Sequence, residues 1–252
     1  MKEKVGLALK ALATIVNWRD YFLDCMGLRR GNACYVLRHC GRKIRIRCRY
    51  GSDRHMLADI FLRRVYTKFF DVERGDLVFD IGANVGMFSL YSFVKAKEVV
   101  AVEPEPENFD FLLRNISVNK AGNIEPVNAA VSRRTGTATL FISGSTPEGH
   151  SLCKKWSGGN PVSVKTYSIQ KLFEMFGVPD FLKLDCEGCE YSTILGNKRN
   201  LKKVGRMVIE YHNLGGGKNG TALYRFLKRN KFDVVSFYPE NRQWGYIYVK
   251  NR

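Results

Sequence analysis

Two short segments end in side chains that can move protons. DFLKLDCEG (180–188) is apolar at Phe181, Leu182 and Leu184, then turns acidic at Asp185 and Glu187. VIEYH (208–212) runs the same way and ends in Glu210 and His212. Each reads as a buried strand with its chemistry at the carboxyl end. In an open α/β sheet the carboxyl ends of adjacent strands share one crevice, so Asp185, Glu187, Glu210 and His212 are expected to converge. As a general acid–base set, Asp185 or His212 would be the base and Glu187 would orient the acceptor. The same carboxylates and imidazole form an oxygen-and-nitrogen donor set for a divalent metal, but catalysis without a metal is the expectation.

A third segment, LVFDIGANVGMFSL (77–90), has the pattern of a ligand cradle. Leu77, Val78 and Phe79 suit a buried strand; Asp80 ends it, and Gly82, Asn84 and Gly86 follow. Val85, Met87, Phe88, Leu90 and Tyr91 then resume at helical spacing, giving a strand, a tight glycine turn and a helix. A turn with no ligand is the simplest alternative. A dinucleotide fingerprint would place a glycine at the middle position, where the backbone must approach a pyrophosphate. Here Asn84 stands there, and D-x-G-x-N-x-G better suits a nucleoside without pyrophosphate. S-adenosylmethionine is such a ligand, its amino-acid end meeting the turn amides and the Asp80 region. EVVAVEP (98–104) supports this, because it ends a second strand in Glu103, an acidic side chain placed to accept both ribose hydroxyls. VNAAVS (127–132) puts Asn128 where an amide could read the adenine.

These side chains need elements to hold them. From Asp76 onward, strands are expected near 77–81, 98–103, 124–128, 180–185, 205–211, 232–237 and 244–250. Helices are expected near 85–95, 106–120, 168–177, 188–203 and 219–230. That rhythm predicts an α/β fold with a mostly parallel sheet covered by helices on both faces, its last two strands antiparallel. Upstream, 5–25 reads as one helix, apolar over more than one face. It would pack on the main domain or make peripheral contact with a membrane surface. Residues 34–49 read as a hairpin turning near Gly41, with Ile44, Ile46 and Cys48 on one face and Lys43, Arg45, Arg47 and Arg49 on the other. That cationic face is either solvated or a groove for an acidic acceptor. Ser52 or Asp53 would cap a helix burying Met56, Leu57, Ile60, Phe61 and Val65. The irregular stretch 143–161 is a candidate functional loop or lid.

The 252 residues suffice for one large domain, or a domain with an appendage, and a sizeable core. The net charge of +17 is uneven: +9 over 1–76, −2 over 77–195 and +10 over 196–252. Basic flanks around a near-neutral centre favour anionic partners such as phosphorylated glycans, acidic lipid surfaces or RNA. No apolar run approaches the roughly 20 residues needed to span a bilayer, and no signal-peptide pattern opens the sequence, so a cytoplasmic protein is expected. Seven cysteines show no secreted disulfide framework. The lone C-x-x-C of Cys186 and Cys189 lacks the second pair zinc would need, and reads as small packing residues beside a turn.

Together DIGANVGMFS, VEPEPENFDFLLRN, VNAAVS, FLKLDCEGCEYSTIL and IEYHN resemble, in order and spacing, the FkbM-type methyltransferases. The resemblance runs from about Ser52 to Asn213. It implies a class I, Rossmann-like, seven-stranded sheet and S-adenosylmethionine-dependent O-methylation of sugars, polyketides or related hydroxylated acceptors. By that likeness Asp80, Gly82, Asn84 and Gly86 line the methionine end, Glu103 holds the ribose and Asn128 sits near the adenine. Asp185, Glu187 and Glu190 would lie over the sulfonium and acceptor. The expected division is 1–51 as a helix and basic hairpin extension, and 52–252 as the methyltransferase domain. Two alternatives remain: an RNA methyltransferase using the basic flanks, and a non-catalytic S-adenosylmethionine-binding protein. The first lacks an N-P-P-Y-type motif and a recognisable RNA-binding module; the second would have no need of converging acid–base residues.

Overall fold

The computed structural model describes residues 2–28, 31–49, 52–142, 151–152 and 160–251. The single helix expected over 5–25 is two, α1 (Lys2–Thr14) and α2 (Trp18–Cys25). The break falls at Thr14-Ile15-Val16, three β-branched residues that crowd a helical turn. They pair instead with the first strand of the hairpin, β1 (Ala33–His39). Ile15 bridges Leu37, and the Val16 amide donates to the Val36 carbonyl at 2.7 Å. In α1 Ala11 is buried, while Val5, Leu9 and Leu12 are exposed.

β1 and β2 (Arg42–Cys48) pair antiparallel through Cys40 and Gly41, both left-handed, as a two-residue hairpin turn requires. Ile44, Ile46 and Cys48 are buried as expected, and Lys43, Arg45 and Arg47 face outward. Arg49 does not join that solvated face. Its guanidinium turns inward to Asp53, Asn84 and Asn108. α3 (Ser52–Leu57) continues as a π-helical turn over Ala58–Arg63 and stops at left-handed Arg64. A 3₁₀ turn over Val65–Thr67 then buries Tyr66. Such π turns often mark functional sites, because the extra residue redirects the side chains that follow.

The main body follows the expected alternation: β3 (Leu77–Ile81), α4 (Met87–Ser92), β4 (Glu98–Val102), α5 (Pro106–Asn119) and β5 (Ile124–Val127). A small sheet then intervenes, built from β6 (Ala130–Val131), β7 (Gly136–Leu140) and β8 (Val162–Tyr167) in the order β6-β8-β7. The sequence reading missed β7 and β8. Next come α6 (Ile169–Phe176), β9 (Phe181–Leu184), α7 (Cys189–Gly196), α8 (Lys198–Leu201), β10 (Arg206–His212), α9 (Gly220–Arg229), β11 (Val234–Pro239) and β12 (Trp244–Lys250). The helix expected over 188–203 is thus interrupted at Asn197, directly after Gly196.

The seven-stranded sheet has the order β11-β12-β10-β9-β3-β4-β5. β5, β4, β3, β9 and β10 are mutually parallel, and β12 runs antiparallel to both its neighbours. This is the Rossmann-like class I arrangement that was expected. Strand alternation divides the core into two layers. Val78, Val99, Phe181 and Val208 face α4, α5 and the hairpin, while Phe79, Val100, Leu182 and Ile209 face α6, α7 and α9. The hairpin shares the first layer. Asn115 and Asn119 of α5 bind the backbone of Arg47 and Arg45 on its open edge. The order in which strands are added reverses between the parallel neighbours β3 and β9, and the crevice outside their carboxyl ends is where ligands bind in such sheets.

Candidate active site

A cavity of about 650 Å³ opens at that reversal point, within the range of small-molecule sites. The glycine turn forms one wall. Gly82 and Asn84 are left-handed, at φ 76° and 51°, and both line the cavity with Ala83. A Cβ on Gly82 would overlap the carbonyl oxygen of Asp185, so glycine is what lets the turn close against the β9 end. Gly86 lies outside the cavity wall. It caps α4 at φ 86°, and a Cβ there would strike Leu112. Asp80 also lies beneath the wall rather than on it. It is fully buried, accepts from Ser89 Oγ at 2.6 Å and pairs with Lys183 Nζ at 3.0 Å.

Glu103 directly follows β4 on the same wall and is buried. Its carboxylate accepts from the amides of Asn84 (2.8 Å) and Glu105 (3.0 Å) and from Asn108 Nδ2 (3.3 Å). Burial raises its pKa to about 7, and those amides hold it from going higher. Asn128 is not among the cavity-lining residues. Its Nδ2 donates to the carbonyls of Glu103 and Pro104, so it fastens the loop after β4. Beyond it Ala130, Val131 and Leu140, from the small sheet, line an apolar part of the cavity. Of the 143–161 stretch, Ser151 and Leu152 reach the cavity, and Ser151 Oγ donates to the Glu187 carbonyl. Residues 143–150 and 153–159 lie outside the described residues.

The four expected acid–base residues do converge on the opposite wall. His212 Nδ1 donates to Glu190 Oε1 at 3.3 Å, and its Nε2 lies 3.5 Å from Glu187 and 3.9 Å from Glu210. Burial alone would discharge the imidazole. The hydrogen bond and charge of Glu190, with Glu187 and Glu210, outweigh it and raise His212 well above its ordinary value. Glu187 sits at φ 52°, an uncommon conformation for a side-chain-bearing residue, ahead of left-handed Gly188. This turn points 185–187 into the cavity and starts α7 behind them.

Two residues that the sequence reading passed over tie this wall together. Tyr66 Oη contacts Asp185 Oδ2 at 2.9 Å and Glu210 Oε2 at 2.7 Å. A phenol has one proton to donate, so both contacts are satisfied when one carboxyl group holds a proton of its own. Burial, then the Asp185 charge, pushes the Glu210 pKa well above its ordinary value, the direction that favours Glu210 as that group. Lys183 lies beneath. Burial opposes its charge, but Asp80 and Asp185 keep its pKa above the ordinary lysine value. Its signal was available: a lone lysine inside the apolar run FLKL. Tyr66 gave none, since only the π turn aims it. The C-x-x-C reading is corrected. Cys186 and Cys189 are joined by a disulfide across the loop that presents Glu187.

The methyltransferase FkbM domain matches residues 80–248. Hexuronic acid methyltransferase AglP of Haloferax volcanii is 30% identical over 144 residues, 56% of this chain and 58% of that protein. The 31-O-demethyl-FK506 methyltransferase FkbM of Streptomyces tacrolimicus is 34% identical over 94 residues, 36% of this chain and 35% of that protein. The crystal structure of methyltransferase FkbM from Methylobacillus flagellatus shares the fold, with a TM-score of 0.51 over 78% of this chain and 53% of that one, at 16% identity. Each match thus spans less than two thirds of the relative's length. Since the matched domain runs from Asp80 through the glycine turn and the ends of β9 and β10 into β12, the chain belongs to the FkbM methyltransferase family.

Proposed function

We propose that the protein is an S-adenosylmethionine-dependent O-methyltransferase acting on a hydroxyl of a carbohydrate or other small hydroxylated acceptor. The observation that carries this reading is one cavity with two unlike walls: Gly82, Asn84 and Glu103 on one side, and Asp185, Glu187, Glu210 and His212 on the other. The first wall fits the cofactor. A carboxylate accepts at about four positions, and Glu103 uses three for its loop, which leaves capacity for a ribose hydroxyl. The apolar surface at Ala130, Val131 and Leu140 suits a flat base. When bound, the sulfonium supplies an activated methyl group.

The second wall handles the acceptor. An alcohol attacks poorly until a base takes its proton as the new bond forms. We assign the role of that base to Asp185, on the acceptor wall of the cavity. Its carboxylate is partly exposed to the cavity and steadied by Tyr66 and, at 3.6 Å, Lys183. The hydroxyl proton would pass to Asp185 as the acceptor oxygen takes up the methyl group that the cofactor would supply. Holding the hydroxyl in line is worth several kcal/mol in such reactions. The family relatives named for a hexuronic acid and for 31-O-demethyl-FK506 support an oxygen acceptor. The charge of +17 favours RNA instead, but the acidic side chains Asp185, Glu187 and Glu190 around the proposed acceptor end oppose a phosphate backbone.

The deciding experiment supplies methyl-labelled cofactor with separate pools of uronic-acid glycans, hydroxylated small molecules and tRNA. Label in alkali-stable ethers of the first two pools is expected. Label confined to tRNA would replace the reading with the RNA one, and cofactor binding without label in any pool would favour the non-catalytic binder.

A further inference from the structure

Asp185, Glu190 and His212 each offer one ligand atom, and the three atoms lie within 4.8 Å of one another. They come from the loop after β9, the first turn of α7 and the end of β10, so the sheet and one helix fix their separation. Carboxylates cluster in many proteins with nothing between them. Glu190 sets this cluster apart. It is fully buried, and Oε1 accepts from the Cys186 amide at 3.1 Å as well as from His212. Its other oxygen, Oε2, is buried with no hydrogen-bond partner among the described residues. A buried polar atom in that state costs on the order of 1–3 kcal/mol, and more when charged, and native proteins rarely leave one without an ion or a water.

Charge selects between those two. Even with a proton on Glu210, Asp185, Glu187 and Glu190 face a single imidazole, and the Lys183 ammonium beside Asp185 is shared with Asp80. A water would fill the gap without offsetting that excess of negative charge. The chemistry of the donors narrows the ion. Two carboxylates and an imidazole suit a hard or borderline divalent cation, and the nearby sulfurs are tied in the Cys186–Cys189 bridge and so withheld from soft metals.

We propose that Asp185, Glu190 and His212 bind a divalent cation of the Mg²⁺ or Mn²⁺ class. The oxygens of Glu187 and Glu210, close to His212 Nε2, stand within reach as further ligands. The ion's second role rests on the O-methyltransferase reading: it holds the acceptor hydroxyl and makes its proton easier to remove. It also lets an acceptor bearing its own carboxylate approach an acidic wall.

Binding of the ion can be tested without cofactor or acceptor, so its outcome is independent of methyl transfer. Purified full-length protein, stripped with chelator, is titrated with Mn²⁺ alone and followed by electron paramagnetic resonance of the free ion and by calorimetry. One saturable site per chain is expected. Glu190→Gln and His212→Gln should each weaken it by about tenfold or more, the scale of disturbed metal sites. Asp185→Asn, at a partly exposed side chain, should do the same and serves if a buried variant fails to fold by circular dichroism. Absence of saturable Mn²⁺ binding, or folded variants that bind as the parent does, would overturn the proposal.

Discussion

Lys183 Nζ lies 3.0 Å from Asp80 Oδ1, with both side chains buried beneath the glycine turn. The same ammonium donates to the Gly82 carbonyl at 2.7 Å and reaches Asp185 at 3.6 Å. One strand-interior lysine therefore joins the turn to the acid–base wall. Lys183→Met would leave Asp80 charged and unpaired in the core, and breaking a buried pair in this way costs roughly 3–5 kcal/mol. Urea unfolding should show a loss of that order, and adding Asp80→Asn should restore most of it. A loss within ordinary surface-mutant scatter would mean the pair does not support the fold.

Gly82→Ala meets two obstacles at one position: a left-handed backbone and the carbonyl of Asp185. The β9 loop must move away for the methyl group to fit. A lower melting temperature and at least about a tenfold loss of adenosylhomocysteine affinity are expected, because a Cβ at a crowded turn forces the backbone to shift. Calorimetry on the folded variant decides the matter; parental affinity would show that the turn does not touch the cofactor.

Glu103 carries a pH signature. Its pKa rises from 4.5 to about 7 in the folded chain. Between those values the folded protein keeps a proton that the unfolded chain has released. That contribution to stability is complete below the unfolded value and is lost as pH rises through the folded one. Ribose hydroxyls donate best to the ionised form, so adenosylhomocysteine affinity should move the other way, rising roughly tenfold from about pH 6 to about pH 8. Glu103→Gln should weaken binding and flatten the profile. A parental profile that is already flat would remove Glu103 from the ribose.

Asp185→Asn keeps the size of the side chain and removes its basicity. Adenosylhomocysteine should bind within a few-fold of the parent, while turnover at saturating acceptor falls by about 10²–10⁴, the usual span of general-base catalysis. Loss of cofactor binding instead would mean that the two walls of the cavity are not separate in function.

Much of this was readable from one dimension. Strands buried on both faces are written as apolar runs, so LVFDI, EVVAV and FLKL disclosed the sheet, and their acidic ends disclosed the crevice. What sequence could not supply was contact across long separations. Tyr66 meets Asp185 and Glu210 only because a π turn rotates it inward. Asp80 and Gly86 have the right spacing for a cradle, yet one faces Lys183 and the other Leu112, since spacing does not say which side of a turn is open. Asn128 fell one residue short, with its amide drawn to the Glu103 and Pro104 carbonyls. The 5–25 helix failed for a local reason: strand pairing at Ile15 and Val16 outweighed the helical pattern.

Arg49 gives the first fifty residues a meaning that their position ahead of the family domain does not suggest. Its guanidinium reaches across from the hairpin to Asn84 at 2.9 Å, and to Asn108, which itself donates to Glu103. A chain shortened to begin at residue 52 would keep every motif the family is known by. It would also lose the brace behind the nucleoside wall and bare the face of α5 on which the hairpin rests. The amino-terminal arm is in this sense a back plate of the proposed nucleoside wall, and the matched family domain, residues 80–248, leaves that plate out.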